Sequence, residues 1–261
     1  MWRKVRIAVL LLILVIAAYS TWYDQHSTAS WDRTLWIGVF PVNAEGGEAG
    51  RDYIDSLSTA DFADIETFIN REAHRYGIPL ERPVRVELYP AVRDKPPDHD
   101  ANANVFATMW WSLKLRLYAR RNSHPEGRPA PQIRVFVLYH DPSFTQSVPH
   151  SVGLQKGLVG VVHAYASSEM TRTNEVVIAH EVLHTFGATD KYDMASLAPL
   201  FPAGYAEPDL KPLYPQSLTE IMAGRYATDP NSFEMPDSLS TVRVGEATAR
   251  EIHWISAGRD Q

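Results

Sequence analysis

Hydrophobic positions change period several times along the chain, and each change marks an element. Leu35, Ile37 and Val39 alternate and predict a first strand from Leu35 to Val42, with Pro41 limiting its end. Ser58, with Asp61 three residues on, offers an N-cap. Phe62, Ile65, Phe68, Ile69 and Tyr76 then trace a helical stripe that stops at Gly77 and Pro79. Val84, Val86 and Leu88 alternate as a second strand, and Phe106, Met109, Trp110, Leu113 and Leu117 return to helical spacing. Ile133, Val135, Val137 and Tyr139 predict a third strand, and Leu158 to Tyr165 a fourth. A helix from about Thr173 to Phe186 follows, ended by Gly187. Residues 194–217 carry Pro199, Pro202, Pro208, Pro212 and Pro215 and read as loop, and Glu246 to Ile255 reads as a last helix. This order predicts an α+β (mixed α/β) domain around a twisted mixed sheet.

The N-terminus follows a different rule. Arg3, Lys4 and Arg6 precede an unbroken apolar run from Ile7 to Tyr19, which meets Trp22 and Tyr23. The run alone has signal-peptide length, and Ala18-Tyr19-Ser20 is a weak cleavage site. Extended to the aromatic pair it makes a short membrane span, so a signal-anchor is favoured over a cleaved signal. Residues 1–23 are thus expected to be a transmembrane segment and 24–33 a tether. Residues 34–261 are the domain, on the extracytoplasmic side of the membrane, because the basic residues stay inside.

Composition narrows the chemistry. The 261 residues are 45% hydrophobic, enough for a sizeable core, and the net charge of −6 is scattered without a basic stripe, which argues against a nucleic-acid partner. Cysteine is absent. Thiolate metal sites, disulfide scaffolds and cysteine nucleophiles are therefore excluded, and a transition metal must be held by imidazole and carboxylate, a set that suits zinc.

Residues 180–184 read His-Glu-Val-Leu-His. On a helix, positions i and i+4 project from one face, so His180 and His184 can reach one cation. Glu181 stands beside them to take a proton from a metal-bound water, while Ile178 and Val182 lie on the opposite face and can bury it. Gly187 can turn the chain back after the helix and bring Asp190 toward the metal as a third ligand.

His180-Glu181-x-x-His184-x-x-Gly187-x-x-Asp190 resembles the metzincin zinc endopeptidases, with aspartate where most of that family has histidine; the snapalysins among similar peptidases also carry aspartate there. The resemblance implies a Met-turn, for which Glu220-Ile221-Met222-Ala223-Gly224 is the candidate, with Met222 beneath the imidazoles. It also implies a metzincin-like zincin fold, bound Zn2+ and a peptide or protein substrate. Leu158–Tyr165 falls where the family has its edge strand, no separate fifth strand is visible before the helix, and residues 101–122 insert an extra helix. Substrate-binding residues are not readable.

Rival readings remain open at this stage. A gluzincin-like peptidase would draw its third ligand from farther along, Glu207 or Glu220. A membrane-anchored envelope protein could carry a structural metal site, although such a site needs no general base. His163 could touch substrate or metal, but a strand histidine is usually structural and that reading is favoured; His74, His140, His150 and His253 lack ligand spacing. Tyr226 follows the candidate Met-turn at a different spacing from the tyrosine of some metzincins and is given no role. Trp110, Trp111, Lys114, Arg116, Arg120 and Arg121 could lie on a membrane surface; core packing with a solvated basic edge is the favoured expectation.

Overall fold

In the computed structural model the alternating residues after Thr34 open a nine-residue strand, β1 (Leu35–Asn43). The structure describes residues 30–98, 104–123, 127–155 and 157–255, with Trp2 and Arg6; the segment read as a membrane anchor lies outside them. Among the described residues no helix is long and apolar enough to cross a membrane. β1 does not end at Pro41. Its neighbour β2 (Val84–Leu88) pairs only as far as Val39, while the other neighbour, β3 (Ile133–His140), continues to Asn43. Ala44 donates to Tyr139 on the β3 side, so by alternation the nitrogen of Pro41 faces the side where the β2 ladder has stopped.

β3 pairs in parallel with β5 (Val159–Tyr165), and β5 pairs in antiparallel fashion with β4 (Val152–Leu154). The result is a five-stranded mixed sheet in the order β2-β1-β3-β5-β4. Two expectations are corrected here. A fifth strand does precede the helix, and it is β4 that forms the edge, whereas Val159–Tyr165 is an inner strand. Three residues centred on Gly153 are too few for a visible period.

One face of the sheet carries α1 (Glu48–Ser56), α2 (Ala63–Arg75) and α4 (Thr171–Phe186); the other carries α3 (Val105–Asn122). Leu35, Ile37, Val39, Val135 and Val137 point to the first face and pack with Ile65, Phe68, Ile178 and Val182. Phe40, Val42, Phe136 and Leu138 point to the second and pack with Trp111, Leu115 and Ala119. α2 follows a 3-10 turn, Thr59–Phe62, entered where Asp61 accepts from the Ser58 N–H at 2.7 Å, as that spacing predicts. The stripe foreseen on α3 faces the wrong way: Phe106, Met109, Trp110, Leu113 and Leu117 are exposed, and Trp111, Leu115 and Ala119 are buried instead.

After α4 the chain adds short pairs, β6 (Thr219–Glu220) with β9 (Val242–Arg243) and β7 (Tyr226–Asp229) with β8 (Ser232–Glu234), and then α5 (Glu246–Glu251). Trp31, within the stretch read as tether, is buried against Phe186 and Trp254 and donates to the Ile252 carbonyl at 2.8 Å.

Candidate metal centre

The C-terminal half of α4 holds the two histidines on one face while Ile178, Val182 and Leu183 sink into the core on the other. The helix stops at Gly187, whose φ of 110° is left-handed and where an added Cβ would stand 2.4 Å from Gln155 Nε2. The chain turns back, and Asp190 arrives opposite the imidazoles. The turn is clamped. Buried Lys191 donates to Glu251 Oε1 and Oε2 and to the Thr189 carbonyl, and Glu251 also accepts from the Thr189 N–H and hydroxyl.

His180 Nδ1 lies 2.9 Å from the Ile221 carbonyl and His184 Nδ1 2.8 Å from the Ala188 carbonyl. Carbonyls only accept, so both Nδ1 atoms donate and the two Nε2 atoms are turned to the centre of the cluster, where a cation would displace any proton they carry. There the two Nε2 atoms are 3.1 Å apart, and each is 3.2 Å from Asp190 Oδ1. Asp190 Oδ1 is buried and accepts no hydrogen bond. Ligands held about 2.0 Å from a tetrahedral cation stand about 3.3 Å from one another, so this near-equilateral triangle fits zinc.

Glu181 completes the cluster. Its carboxylate and the two imidazoles each offer a ligand atom within 4.8 Å of the others. Glu181 Oε2 is buried without a hydrogen-bond partner, and burial raises the carboxyl above its ordinary value although both imidazoles pull the other way. Burial works against charge on His180 as well. Asp190, then Glu181, outweigh it and raise the imidazole to about 9. Burial likewise opposes ionisation of Asp190, but the facing imidazoles hold that carboxyl well below its usual range.

Met222 is fully buried in the turn whose Ile221 carbonyl holds His180, and its own carbonyl accepts from the Lys191 N–H at 2.9 Å. Gly224 leaves that turn with φ of 66°. The two rival third ligands are used elsewhere. Glu220 is buried and accepts from the N–H groups of Met222, Ala223 and Gly245 and from the Thr248 hydroxyl. Glu207 accepts from Ser217 and Leu218. Tyr226 donates to Glu234 on the β7–β8 hairpin.

A cleft of about 380 Å³ opens onto His180 and Glu181, walled by Val176 and Val177, by Pro149 to Ser151, and by Ala223 to Arg225. Sequence reasoning missed Tyr192 here, the partners of His163, and the close approach of β4 beside the cleft. Tyr192 lines it, two residues past Asp190. His163 lines it too and is not merely a strand residue: its Nδ1 lies 2.8 Å from His140 Nε2, and His140 Nδ1 lies 2.8 Å from Glu45. Burial, then the neighbouring His140, lowers His163 to about 4, so it is neutral at physiological pH. Gly153 brings β4 against α4 so closely that a Cβ would lie 2.4 Å from the Glu181 carbonyl oxygen and 2.6 Å from His184 Cβ. No sequence period announces any of the three.

No protein-family model matches the chain, and no curated protein is similar to it. Among solved structures, one described as the structure of a chaperone-substrate complex is similar over 84% of this chain, with 11% sequence identity and a TM-score of 0.41. The alignment covers 33% of that chain. A likeness at this level carries no argument about the site.

Proposed function

We propose that this chain is a zinc-dependent metalloendopeptidase of metzincin-like type, with His180, His184 and Asp190 as metal ligands and Glu181 as general base. One observation carries the reading: two imidazole Nε2 atoms and an unbonded carboxylate oxygen converge within 3.1–3.2 Å of one another at a cleft that Glu181 shares. A structural site would close its fourth position with protein, whereas this cluster opens to the cleft. The engagement of Glu207 and Glu220 with backbone N–H groups speaks against a gluzincin-like ligand set.

Zinc held by these residues supplies Lewis acidity, polarising a carbonyl and lowering the pKa of water to about 7. Glu181, raised by burial, takes the proton of the attacking water and delivers it to the leaving amine. The Ile221 and Ala188 carbonyls hold both imidazoles by Nδ1 and so present Nε2 of each ring to the metal. β4 ends the sheet, so its outer edge can pair with an extended peptide and align a scissile bond along the cleft. The short antiparallel edge strand, the glycine turn before Asp190 and the buried Met222 turn support the metzincin-like form of the fold. Residues 1–23 serve as a signal-anchor that keeps the domain at the outer membrane face.

The test compares wild type with Glu181→Gln at equal zinc content on a peptide library read by mass spectrometry. Wild type should cleave and the variant should lose about a thousandfold or more. Equal cleavage by the two would remove Glu181 from the chemistry.

A further inference from the structure

Helix α3 is apolar on two faces. Trp111, Leu115 and Ala119 face the sheet, and Phe106 (82% exposed), Met109 (64%), Trp110 (62%), Leu113 and Leu117 face solvent. At about 100° per residue the exposed five fall within a sector of about 100°. Lys114 and Arg121 lie on one side of its midline; Arg116 and Arg120, on the other, also have partners within the protein. No acidic residue occurs between Val105 and Asn122, in a chain whose net charge is −6. A contiguous apolar stripe of this kind marks an interaction site, and cationic flanks with aromatic residues between them match an anionic lipid surface.

We propose that the outer face of α3 docks in the plane of a bilayer rich in anionic lipid, Phe106 and Trp110 entering the acyl boundary and Lys114 and Arg121 meeting the headgroups. Two other occupants fit the charge less well. A second copy stacked through the same stripe would bring Lys114 and Arg121 of each chain together. The chain's own N-terminal run would bring Arg3, Lys4 and Arg6 to the same place. The docking is independent of the metal-site reading, and it adds a second membrane contact to an apolar segment that is short for a span. Trp111, on the inner face of α3, shares a cavity with Val152, Val161 and His163. The docked helix therefore holds the edge of the sheet near the membrane.

The absence of cysteine makes the test direct. A nitroxide is placed at Met109→Cys in the full chain, or at Ser56→Cys as an exposed control at the end of α1. The protein is incorporated, one chain per nanodisc, in phosphatidylcholine with phosphatidylglycerol. The Met109 label should become about tenfold less accessible to a water-soluble relaxation reagent than in pure phosphatidylcholine, and the Ser56 label should not change. Lys114→Glu with Arg121→Glu should restore access. A Met109 label that stays open in the anionic nanodisc overturns the proposal. Protection that persists through the double reversal overturns it too, because a protein surface is then the cover.

Discussion

Gly153→Ala concentrates the account into one methyl group. Its Cβ would stand 2.4 Å from the Glu181 carbonyl oxygen and 2.6 Å from His184 Cβ, where carbon needs about 3.4 Å or more. Neither contact can be relieved by a rotamer, because one atom is backbone and the other is fixed to it. The strand must retreat from α4 by about 1 Å while still paired with β5 through Val152↔Val161 and Leu154↔Val159. Overpacking of this kind costs about 1–3 kcal/mol. For a domain of this size each kcal/mol lowers Tm by about 2–4 °C, so calorimetry should record a fall of about 2–12 °C. A displacement of about 1 Å at a metal ligand should also weaken zinc binding and peptide cleavage, by up to about a hundredfold. Gly160→Ala, on the paired residue of β5, is the control: its methyl would meet only Val135 methyls at 3.6 and 3.8 Å, ordinary contact. Gly153→Ala with unchanged Tm and zinc affinity, or Gly160→Ala doing equal harm, would refute the close approach of β4 to α4.

Asp190→Ala should weaken zinc at least about a hundredfold in a chelator competition, and Glu207→Ala should leave it within about twofold. Glu220→Ala is not a neutral control, since it strips the acceptor from four donors around Met222. Buried Glu175 is raised to about 8, by burial first and then by Asp64 and Asp61. Its proton stabilises the fold fully below the unfolded carboxyl range, and that contribution is lost as pH rises through about 8. Glu175→Gln should therefore raise Tm relative to wild type at pH 9 and leave it unchanged at pH 4; a gain of equal size at both would contradict the shift. A reporter fused at Gln261 should be active only outside the cytoplasm, and activity inside would overturn the signal-anchor reading of Arg3, Lys4 and Arg6.

Much of the fold was legible because its elements bury one face. β2 and α2 show clean periods for that reason, β1 and β3 were legible as apolar runs buried on both faces, and Gly187 marks a turn only glycine makes easily. β4 was invisible because it has three residues and its central one has no side chain. α1 was overlooked because it buries only Gly50 and Ile54 among charged neighbours. In α3 the spacing was right and the face wrong: a helix apolar on two faces does not say which stripe meets the sheet. The cluster itself was readable from His180 to Asp190, since one helix and one turn carry it. Its supports were not. The Lys191–Glu251 clamp and the Glu45–His140–His163 chain join residues 60 or more positions apart in the one case and on separate loops and strands in the other. The choice between Asp190 and Glu220 depends on which carboxylate the backbone has already claimed.

The most direct measurement of the central claim is an anomalous difference map at the zinc edge, from crystals of the full chain grown with one equivalent of zinc. One peak is predicted about 2.0 Å from His180 Nε2, His184 Nε2 and Asp190 Oδ1. That peak should be absent in Asp190→Ala crystals prepared against a mild chelator. A strong zinc peak elsewhere with none at this triangle, or a zinc held by the imidazoles and Glu220 with Asp190 turned away, would contradict it.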